Sequence, residues 1–355
     1  MPIKVLVVDD SALIRALLRE IIDADPELSC VGCAPDAYVA RDMVKQLRPE
    51  VITLDIEMPR MDGLAFLEKL MAARPTPVVM ISSLTEAGAE ATFRAMELGA
   101  VDFVAKTTLG IREGMQAYAE TICQKIKVAR HARIGRIRPV PGQVQGTPSH
   151  SPLRSPLLST EKLIAIGAST GGTEAIRQVL QGLPANSPGI VITQHMPAGF
   201  TRSFAERLDR LCAVRVSEAQ GGERILPGHA FIAPGGYHLL VERSGANYLV
   251  RLDQGPAEHG HRPAVDPMFR SLAQCAGRNV IAALLTGMGK DGASGLLQLR
   301  QAGAFTLAQN EASCVVYGMP REAVALDAAE EIRPLDDIAA TLLLQARQRG
   351  SGNRV

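Results

Sequence analysis

The sequence predicts an α/β protein that consists of two doubly wound domains. Short, nearly continuous apolar runs alternate with amphipathic segments from residue 1 to about residue 125, and a second alternation begins near residue 163. Apolar runs of this length indicate strands of a parallel sheet that helices cover on both faces. A chain of 355 residues is long enough for two domains that each bury a core of their own.

The composition is that of a globular protein without a strong overall charge. Hydrophobic residues make up 46% of the chain and charged residues 21%, and the formal net charge is +1. These values exclude general disorder and a global attraction to nucleic acid or acidic lipid. Asp9 and Asp10 break the apolar run at the N-terminus, and no later run is long enough to cross a bilayer. We therefore expect a cytoplasmic protein without direct membrane insertion.

Six cysteines are scattered along the chain, which is typical of a reducing compartment rather than of a disulfide-stabilised scaffold. Cys30 and Cys33 form one C-x-x-C pair, a spacing that can hold zinc or carry out redox chemistry. No second pair accompanies it in the sequence, so we interpret it as two thiols in or beside a strand.

The first alternation predicts four strands and four helices. Strands are predicted at residues 3–8, 51–54, 78–81 and 101–104, and helices are predicted to begin at Ser11, Gly63, Glu86 and Ile111. Ser11 is a suitable N-cap for the first helix. The apolar residues of this helix repeat every four positions and predict one buried stripe, formed by Leu13, Leu17 and Ile21 with Ile14, Leu18 and Ile22.

Residues 126–158 differ in character from what precedes them. The segment is rich in Arg, Pro, Gly and Ser, and no acidic residue occurs between Thr121 and Thr160. It predicts an interdomain linker that is helical at its start and irregular afterwards. An electrostatic tether for an acidic partner is one interpretation, and a solvated linker is the one that we favour.

The second alternation predicts a parallel sheet with an antiparallel insertion. Strands are predicted at residues 163–167, 190–193, 214–216, 231–233, 280–285 and 305–308. Helices are predicted from Thr173 and from Phe200, near 267–276, at 293–302 and near 336–347. The stretch 237–253 predicts a hairpin whose turn lies at residues 244–247.

Polar side chains follow the strands of the first domain at the point where each strand ends. Asp9, Asp10 and Asp55 are three carboxylates at this edge, Ser82 and Ser83 follow the next strand, and Lys106 follows the last. Ligands of an open parallel sheet collect beyond the carboxyl ends of its strands. Carboxylate oxygens are ligands of Mg²⁺, and a lysine with a hydroxyl could hold a phosphoryl group. An N-cap role for one aspartate with a solvated lysine would not explain why all lie at one edge.

The segments VLVVDDS, ITLDIEMPRMDG, MISS and DFVAK of this domain resemble the phosphoacceptor receiver domain of bacterial two-component signalling. The resemblance implies a flavodoxin-like fold, Mg²⁺ as the cofactor of phosphorylation and a sensor histidine kinase as the phosphodonor. It assigns the site residues as follows: Asp55 is phosphorylated, Asp9 and Asp10 bind the metal, Glu57 supplies a backbone carbonyl, Ser82 is the switch hydroxyl, Lys106 binds the phosphate and Phe103 moves on activation. Thr107 departs from the pattern, since many receivers have proline there.

The second domain has no compact three-helix unit of the kind that reads DNA. Its first predicted strand ends in Gly167-Ala-Ser-Thr-Gly171, which fits the G-x-S-x-G pattern of a strand-to-helix turn that exposes a serine nucleophile. An N-cap serine and a phosphate cradle at a helix N-terminus are alternative interpretations of Ser169.

A serine nucleophile needs a base and an acceptor that orients the base. Among seven histidines, His195 ends a parallel-type strand and therefore reaches the edge of the sheet where Ser169 stands. Asp291 and Asp266 are both candidates for the acceptor, and position alone does not exclude Asp266. His259 and His261 form an H-x-H pattern that, with Asp266, could also suggest a metal site.

The loop that contains Asp291 also matches another pattern. The stretch TGMGKDGASG, residues 286–295, satisfies G-x-G-x-x-G after a predicted strand and could indicate a dinucleotide site. An aspartate beside a pyrophosphate would add repulsion where the motif should provide attraction, which weighs against a bound dinucleotide.

With GASTGG, ITQHMP, PAVDPMFRS and TGMGKDG in this order after a receiver, the chain resembles the chemotaxis-specific protein-glutamate methylesterases. The resemblance implies a receiver at 1–125, a linker at 126–158 and a Rossmann-like hydrolase domain at 159–350. It implies a catalytic triad of Ser169, His195 and Asp291, with Thr170 and the backbone N–H of Met288 in the oxyanion-stabilising region.

The resemblance also implies an activity. The protein would hydrolyse glutamate methyl esters on methyl-accepting chemotaxis receptors, release methanol, and deamidate specific glutamines, with no cofactor for the hydrolysis. The unphosphorylated receiver would cover the catalytic edge. Two other classes remain open from the residues: a response regulator that binds nucleic acid through the basic linker, and a nucleotide-dependent oxidoreductase built on residues 287–292.

Overall fold

The computed structural model describes residues 1–83, 85–106, 112–133 and 162–348, which form two α/β domains. The first domain has a five-stranded parallel sheet in the order β2-β1-β3-β4-β5. Its elements are β1 (Ile3–Val8), α1 (Ala12–Ala24), β2 (Leu28–Ala34), α2 (Ala37–Leu47), β3 (Val51–Asp55), α3 (Gly63–Ala73), β4 (Val78–Ser82), α4 (Glu86–Glu97), β5 (Asp102–Ala105) and α5 (Arg112–Arg130). Helices α1 and α5 cover one face of the sheet, and α2, α3 and α4 cover the other.

The first helix departs in part from its prediction. Ser11 caps α1 as expected, because its side chain accepts a hydrogen bond from the Ile14 backbone N–H. Leu18 and Ile22 are buried, but Leu13 is 65% exposed. Leu13 lies in the first turn, before the helix reaches the body of the sheet. The predicted stripe is therefore wrong at this end.

Two elements of the first domain, β2 and α2, were not among those predicted. Strand β2 is an edge strand whose buried positions are interrupted by partly exposed ones. It therefore lacks the continuous apolar run by which the other strands are recognised.

Helix α5 extends past the predicted domain boundary at residue 125. Ile126 and Ala129 are buried in the core of the first domain, so the domain continues to at least Arg130. The remainder of the predicted linker, from residue 134 to residue 158, lies outside the described residues, as do Thr107 and Ile111.

The second domain has a seven-stranded parallel sheet in the order β14-β13-β12-β6-β7-β9-β8. Its elements are β6 (Leu163–Ala168), α6 (Gly172–Gln181), β7 (Gly189–Gln194), α7 (Phe200–Leu211), β8 (Arg215–Glu218), β9 (His229–Ile232), β10 (His238–Ser244), β11 (Asn247–Asp253), α8 (Val265–Cys275), β12 (Val280–Leu284), α9 (Ala293–Gln301), β13 (Phe305–Gln309), α10 (Met319–Ala325), β14 (Glu331–Arg333) and α11 (Leu335–Gln348).

The predicted antiparallel insertion is confirmed. Strands β10 and β11 form a separate two-stranded sheet whose register closes at Ser244 and Asn247. The hairpin packs against α8, and the Val241 backbone N–H donates a hydrogen bond to the Ser271 hydroxyl at 2.9 Å. Helix α10 and strand β14 were not predicted. They span seven and three residues, too few for a periodic pattern.

The order of the strands places the catalytic candidates together. Strands β6 and β12 are neighbours in the sheet, but β6 leads to β7 on one side and β12 leads to β13 on the other. A crevice opens at such a topological switch point, beyond the carboxyl ends of the strands. Ser169, His195 and Asp291 follow β6, β7 and β12 respectively and therefore stand at this crevice.

The two domains pack together through α4 and β5 of the first domain and α7 of the second. The apolar part is an aromatic cluster in which the Phe103 and Phe200 rings lie 4.7 Å apart and the Phe93 and Phe204 rings 5.4 Å apart. Beside this cluster, Arg207 pairs with Glu90 at 2.9 Å and Glu97 at 2.5 Å. Among the described residues, no helix combines the length and apolar character that a membrane span requires.

Candidate active site

The Ser169 hydroxyl stands on the tight turn between β6 and α6. The Ser169 backbone N–H donates to the Thr286 carbonyl at 3.0 Å, which ties the turn to the end of β12. The Ser169 carbonyl accepts from the Gly172 N–H at 2.7 Å and from the Gln194 side-chain amide at 2.9 Å. Gly171 has a φ of +76°, a conformation that favours glycine. These bonds fix the backbone that carries the hydroxyl.

His195 bridges the serine and an aspartate. Its Nδ1 lies 3.0 Å from the Ser169 hydroxyl oxygen, and its Nε2 lies 2.6 Å from the Asp291 carboxylate. The side chains of His195 and Asp291 are 6% and 2% exposed, so water competes little for these contacts. Contacts of 3.0 and 2.6 Å meet the geometric requirement for a nucleophile, a base and an orienting acid.

Asp291 is oriented by the N-terminus of α8. Its two oxygens accept hydrogen bonds from the backbone N–H groups of Val265 at 2.6 Å and Asp266 at 2.9 Å. Burial alone would raise the pKa of Asp291. Hydrogen bonding and charge from His195, with the two backbone donors, instead hold this pKa below its ordinary value. The carboxylate is therefore ionised where it meets the imidazole.

Asp266, the other candidate acceptor, has different partners. Its carboxylate accepts from His259 Nε2 at 2.9 Å and from the Gly295 backbone N–H at 2.6 Å, and it does not contact His195. Its contribution to the relay is its backbone N–H. The structure thus brings Asp291, and not Asp266, to the imidazole.

The H-x-H pattern has two separate uses in the structure. Ligand atoms of Glu258, His259 and Asp266 lie within 4.8 Å of one another, but Glu258 pairs with Arg270 and His259 with Asp266. His261 points elsewhere: its ring stacks on the His195 ring with centroids 3.9 Å apart. Desolvation and the neighbouring His195 lower the pKa of His261, so this ring is neutral at neutral pH. Sequence reasoning missed this contact, because nothing in the spacing pairs residues 195 and 261.

The glycine-rich loop after β12 packs against the nucleophile. A Cβ atom on Gly287 would lie 2.7 Å from the Ser169 Cβ, so only glycine permits this approach. Gly287 thus allows the loop to come close to the serine. This packing role is an alternative to the dinucleotide interpretation of the same motif.

Of the two predicted oxyanion residues, Thr170 directly follows the serine and Met288 follows Gly287, which packs against the serine. The backbone N–H groups of Thr170 and Met288 donate no hydrogen bond within the described part of the chain. The Thr170 hydroxyl donates to Asp102 of the first domain at 2.6 Å. Met288 is 41% exposed, so its loop lies at the open side of the crevice.

The acidic edge of the first domain is a separate site. The oxygens of Asp9, Asp10 and Asp55 lie within 4.8 Å of one another. Lys106 Nζ lies 3.1 Å from Asp9 Oδ2 and 2.8 Å from Asp55 Oδ2. Burial and the charge of Asp9 raise the pKa of Asp55 to about 6, against the opposing effect of Lys106. Three carboxylates at one edge, two of them buried, carry more negative charge than one lysine neutralises and are suited to a hard divalent cation such as Mg²⁺.

The structure does not bring Ser82 to this edge. Asp55 is paired with Ile81, so the Ser82 side chain points to the opposite face of the sheet. There the Ser82 hydroxyl donates to the Gly88 carbonyl and accepts from Thr92. Ser83 lies in the loop after β4, and its hydroxyl lies 3.2 Å from the Glu57 carboxylate and 3.2 Å from the Thr85 hydroxyl. Glu57 in turn donates its backbone N–H to Asp55 at 3.4 Å.

A phosphoacceptor-type edge in one domain and a Ser-His-Asp arrangement in the other define a class: a response regulator whose output domain is a hydrolase. Family models agree with this class. The CheB methylesterase model matches residues 164–342, and the response regulator receiver domain model matches residues 5–118. The chain belongs to the CheB methylesterase family.

Known proteins of this kind are similar to the chain over its whole length. A protein-glutamate methylesterase/protein-glutamine glutaminase 2 from Pseudomonas aeruginosa is 69% identical over 355 residues, all of both chains. One from Chromohalobacter salexigens is 59% identical over 353 residues, with 99% of each chain covered.

A solved structure is similar to the second domain. The crystal structure of the Thermotoga maritima CheB methylesterase catalytic domain is 37% identical, has a TM-score of 0.51, and covers 52% of this chain and 97% of that one.

Two substitutions in the glycine-rich loop test why glycine is required. In Gly287→Ala the new methyl group meets Ser169, and a displacement of the nucleophile by about 1 Å is expected to lower esterase activity about 100-fold. Gly289 has a φ of +84°, but a Cβ atom at this position would have no neighbouring atom within 4 Å. Gly289→Ala should therefore cost about 1–2 kcal/mol of stability and leave activity within a few-fold of wild type. Equal activity of the two variants would contradict the packing role of Gly287.

Proposed function

We propose that the protein hydrolyses glutamate methyl esters on methyl-accepting chemotaxis receptors, with release of methanol, and that it deamidates specific glutamines on the same receptors. Names of relatives that match the full chain support the substrate class. The observation that carries the proposal is the relay at the crevice, in which His195 contacts Ser169 at 3.0 Å and Asp291 at 2.6 Å.

The geometry suggests the course of the proton. With Nε2 donating to the ionised Asp291, Nδ1 of His195 has its lone pair free to accept the Ser169 proton. The serine oxygen attacks the ester carbonyl, and Nδ1–H then protonates the departing methoxide. A water molecule hydrolyses the acyl-enzyme by the same path and restores the glutamate carboxylate.

The charge that develops on the carbonyl oxygen needs donors that are not already used. The backbone N–H groups of Thr170 and Met288 meet this condition, because neither donates a bond within the described residues. A glutamine amide passes through a similar oxyanion, so the same groups could support deamidation with ammonia as the leaving group.

We propose that the receiver accepts a phosphoryl group on Asp55 from a chemotaxis histidine kinase. Asp9, Asp10 and Asp55 would hold Mg²⁺, which neutralises charge on the transferred phosphoryl group, with Glu57 supplying a backbone carbonyl. Lys106 already contacts two of these carboxylates and would bind the phosphate. The contact of Ser83 with Glu57, and the orientation of Ser82 toward α4, favour Ser83 over Ser82 as the switch hydroxyl.

Contacts between the domains support control of the esterase by the receiver. Asp102, at the start of β5, accepts the Thr170 hydroxyl next to the nucleophile, and the adjacent Phe103 packs on Phe200. In the unphosphorylated state these contacts would restrict access to the crevice. The phosphoryl group on Asp55 would attract Lys106 and the Ser83 hydroxyl. This movement would shift Phe103 and the surface of the receiver around it away from the crevice.

The triad is tested by methanol release from methylated receptor membranes. Asp291→Asn should lower the rate about 10⁴-fold and Ser169→Ala about 10⁶-fold. Asp266→Asn is the matched control, because this carboxylate does not contact His195, and its loss should be much smaller. The assignment fails if Asp266→Asn is the more damaging aspartate variant.

The two serines of β4 can be separated by their response to a phosphodonor. Ser83→Ala is expected to blunt the stimulation of methanol release by acetyl phosphate and Mg²⁺, because it removes the hydroxyl that contacts Glu57. Ser82→Ala should stay responsive if somewhat less stable, and Asp55→Asn should not respond. A responsive Ser83→Ala with an unresponsive Ser82→Ala would identify Ser82 as the switch hydroxyl instead.

The docking surface is tested by Arg207→Ala. Loss of the pairs with Glu90 and Glu97 should weaken the packing of α4 on α7 and raise methanol release by the unphosphorylated protein several-fold. Glu206→Ala on the same helix is the control, since its ion pair with Arg202 stays within α7. Unchanged basal activity in Arg207→Ala would mean that this contact does not restrain the enzyme.

A further inference from the structure

Two thiols lie against each other on the edge strand of the receiver. The sulfur atoms of Cys30 and Cys33 are 3.7 Å apart, and both cysteines are free. In a regular strand, residues three positions apart point to opposite faces and lie about 10 Å from each other. A local irregularity must therefore bring this pair together.

A bulge in β2 supplies that irregularity. Cys30 is opposite Val5, Gly32 is opposite Leu6, and Cys33 is opposite Val7, so Val31 is an extra residue in the ladder. Both cysteines consequently face the same side of the sheet. The bulge thus places two thiols side by side against the core of the receiver, away from Ser169, His195 and Asp291.

The surroundings of the two thiols differ. Cys33 lines a surface cleft along α1 with Arg15, Ala16, Arg19, Glu20 and Asp23, so small solutes can reach it. Burial together with Cys33 raises the pKa of Cys30 to about 11. The Arg19 guanidinium lines the same cleft as Cys33, and its positive charge favours negative charge on sulfur.

We propose that Cys30 and Cys33 are an oxidative modification site, at which a peroxide forms a reversible disulfide. The Cys33 thiol loses its proton, the thiolate attacks one peroxide oxygen and the O–O bond breaks, which gives a sulfenic acid and a hydroxide that takes up the released proton as water. The Cys30 sulfur, after losing its proton, attacks the Cys33 sulfur, and the S–O bond breaks to give a second water. Two electrons pass from the thiols to the peroxide, and a dithiol reductant reverses the change.

The pair is connected to the acidic edge by a short chain of contacts. The Cys33 thiol donates to the Arg15 carbonyl at 3.9 Å, and the Arg15 guanidinium donates to the carbonyls of Asp9 at 2.8 Å and Asp10 at 2.9 Å. Ala34, next to Cys33, accepts the Asp9 backbone N–H at 3.2 Å. Disulfide formation removes the thiol donor and displaces the backbone of β2. It should therefore change the orientation of the Asp9 and Asp10 carboxylates. This coupling rests on the function proposed for the receiver.

The disulfide is tested on the full-length, reduced protein treated with hydrogen peroxide. Alkylation and peptide mass spectrometry should find the loss of two hydrogen atoms in the peptide that contains both cysteines. Cys30→Ser should instead leave a sulfenic acid on Cys33 that dimedone traps, and Cys33→Ser should leave Cys30 reduced. Cys212→Ser, which alters another partly buried thiol, should behave as wild type. Absence of the disulfide, or equal oxidation at the other four cysteines, would overturn the proposal.

The coupling is tested by phosphorylation from acetyl phosphate as a function of Mg²⁺ concentration. The oxidised wild-type protein should need a higher Mg²⁺ concentration for phosphorylation, by up to about tenfold. Dithiothreitol should return this requirement to that of the reduced protein. In Cys33→Ser, peroxide should leave the requirement unchanged. A disulfide that forms without changing the Mg²⁺ requirement would disprove the coupling. If the reduced protein fails to accept phosphate, or Asp55→Asn accepts it, the proposed receiver function fails instead, and the mass measurement is unaffected.

Discussion

The hydrogen bonds from the N-terminus of α8 to Asp291 are the constraint on which the catalytic crevice depends. They hold a buried carboxylate in its ionised form at 2.6 Å from His195, where an unsupported charge would be costly. The rest of the crevice is arranged around this carboxylate. Gly292 and Gly167 leave room for Val265, because a Cβ atom on either would come within 3 Å of that side chain. The nucleophile, the base and the acid thus depend on the close packing of three strand ends against one helix.

The same crevice is where the two domains meet. Thr170 stands beside the nucleophile and donates to Asp102, which also accepts from Lys125 at 2.6 Å and from the Phe103 backbone N–H at 2.7 Å. One carboxylate of the receiver therefore joins the start of β5, helix α5 and the turn that carries Ser169. A shift of the phenylalanine next to it would alter all of these contacts together. This gives a physical route by which chemistry at the acidic edge could reach an esterase in another domain.

The sequence predicted an element or a residue well where a pattern indicated a strand buried on both faces or the end of such a strand. It predicted elements and residues without such a pattern less well. Continuous apolar runs predicted β1, β6 and β12 closely, because parallel central strands allow few polar residues. The position of Ser169 followed from the G-x-S-x-G pattern at a strand end, and that of His195 followed from the end of a neighbouring strand. The choice between Asp291 and Asp266 did not, since it depends on which atoms of α8 face the imidazole. The choice between Ser82 and Ser83 required the register of β4 against β3, and the contact of His261 with His195 joins segments that no local pattern relates.

A fluorophosphonate probe most directly measures whether the receiver controls the relay of Ser169, His195 and Asp291, because the probe reacts only with an activated serine. We expect mass spectrometry to find the label on Ser169, with a labelling rate that rises on phosphorylation of the receiver and falls sharply in Asp291→Asn. A label on another residue, or an equal rate in Asp291→Asn and wild type, would contradict the relay. A rate that is indifferent to phosphorylation would contradict its control by the receiver.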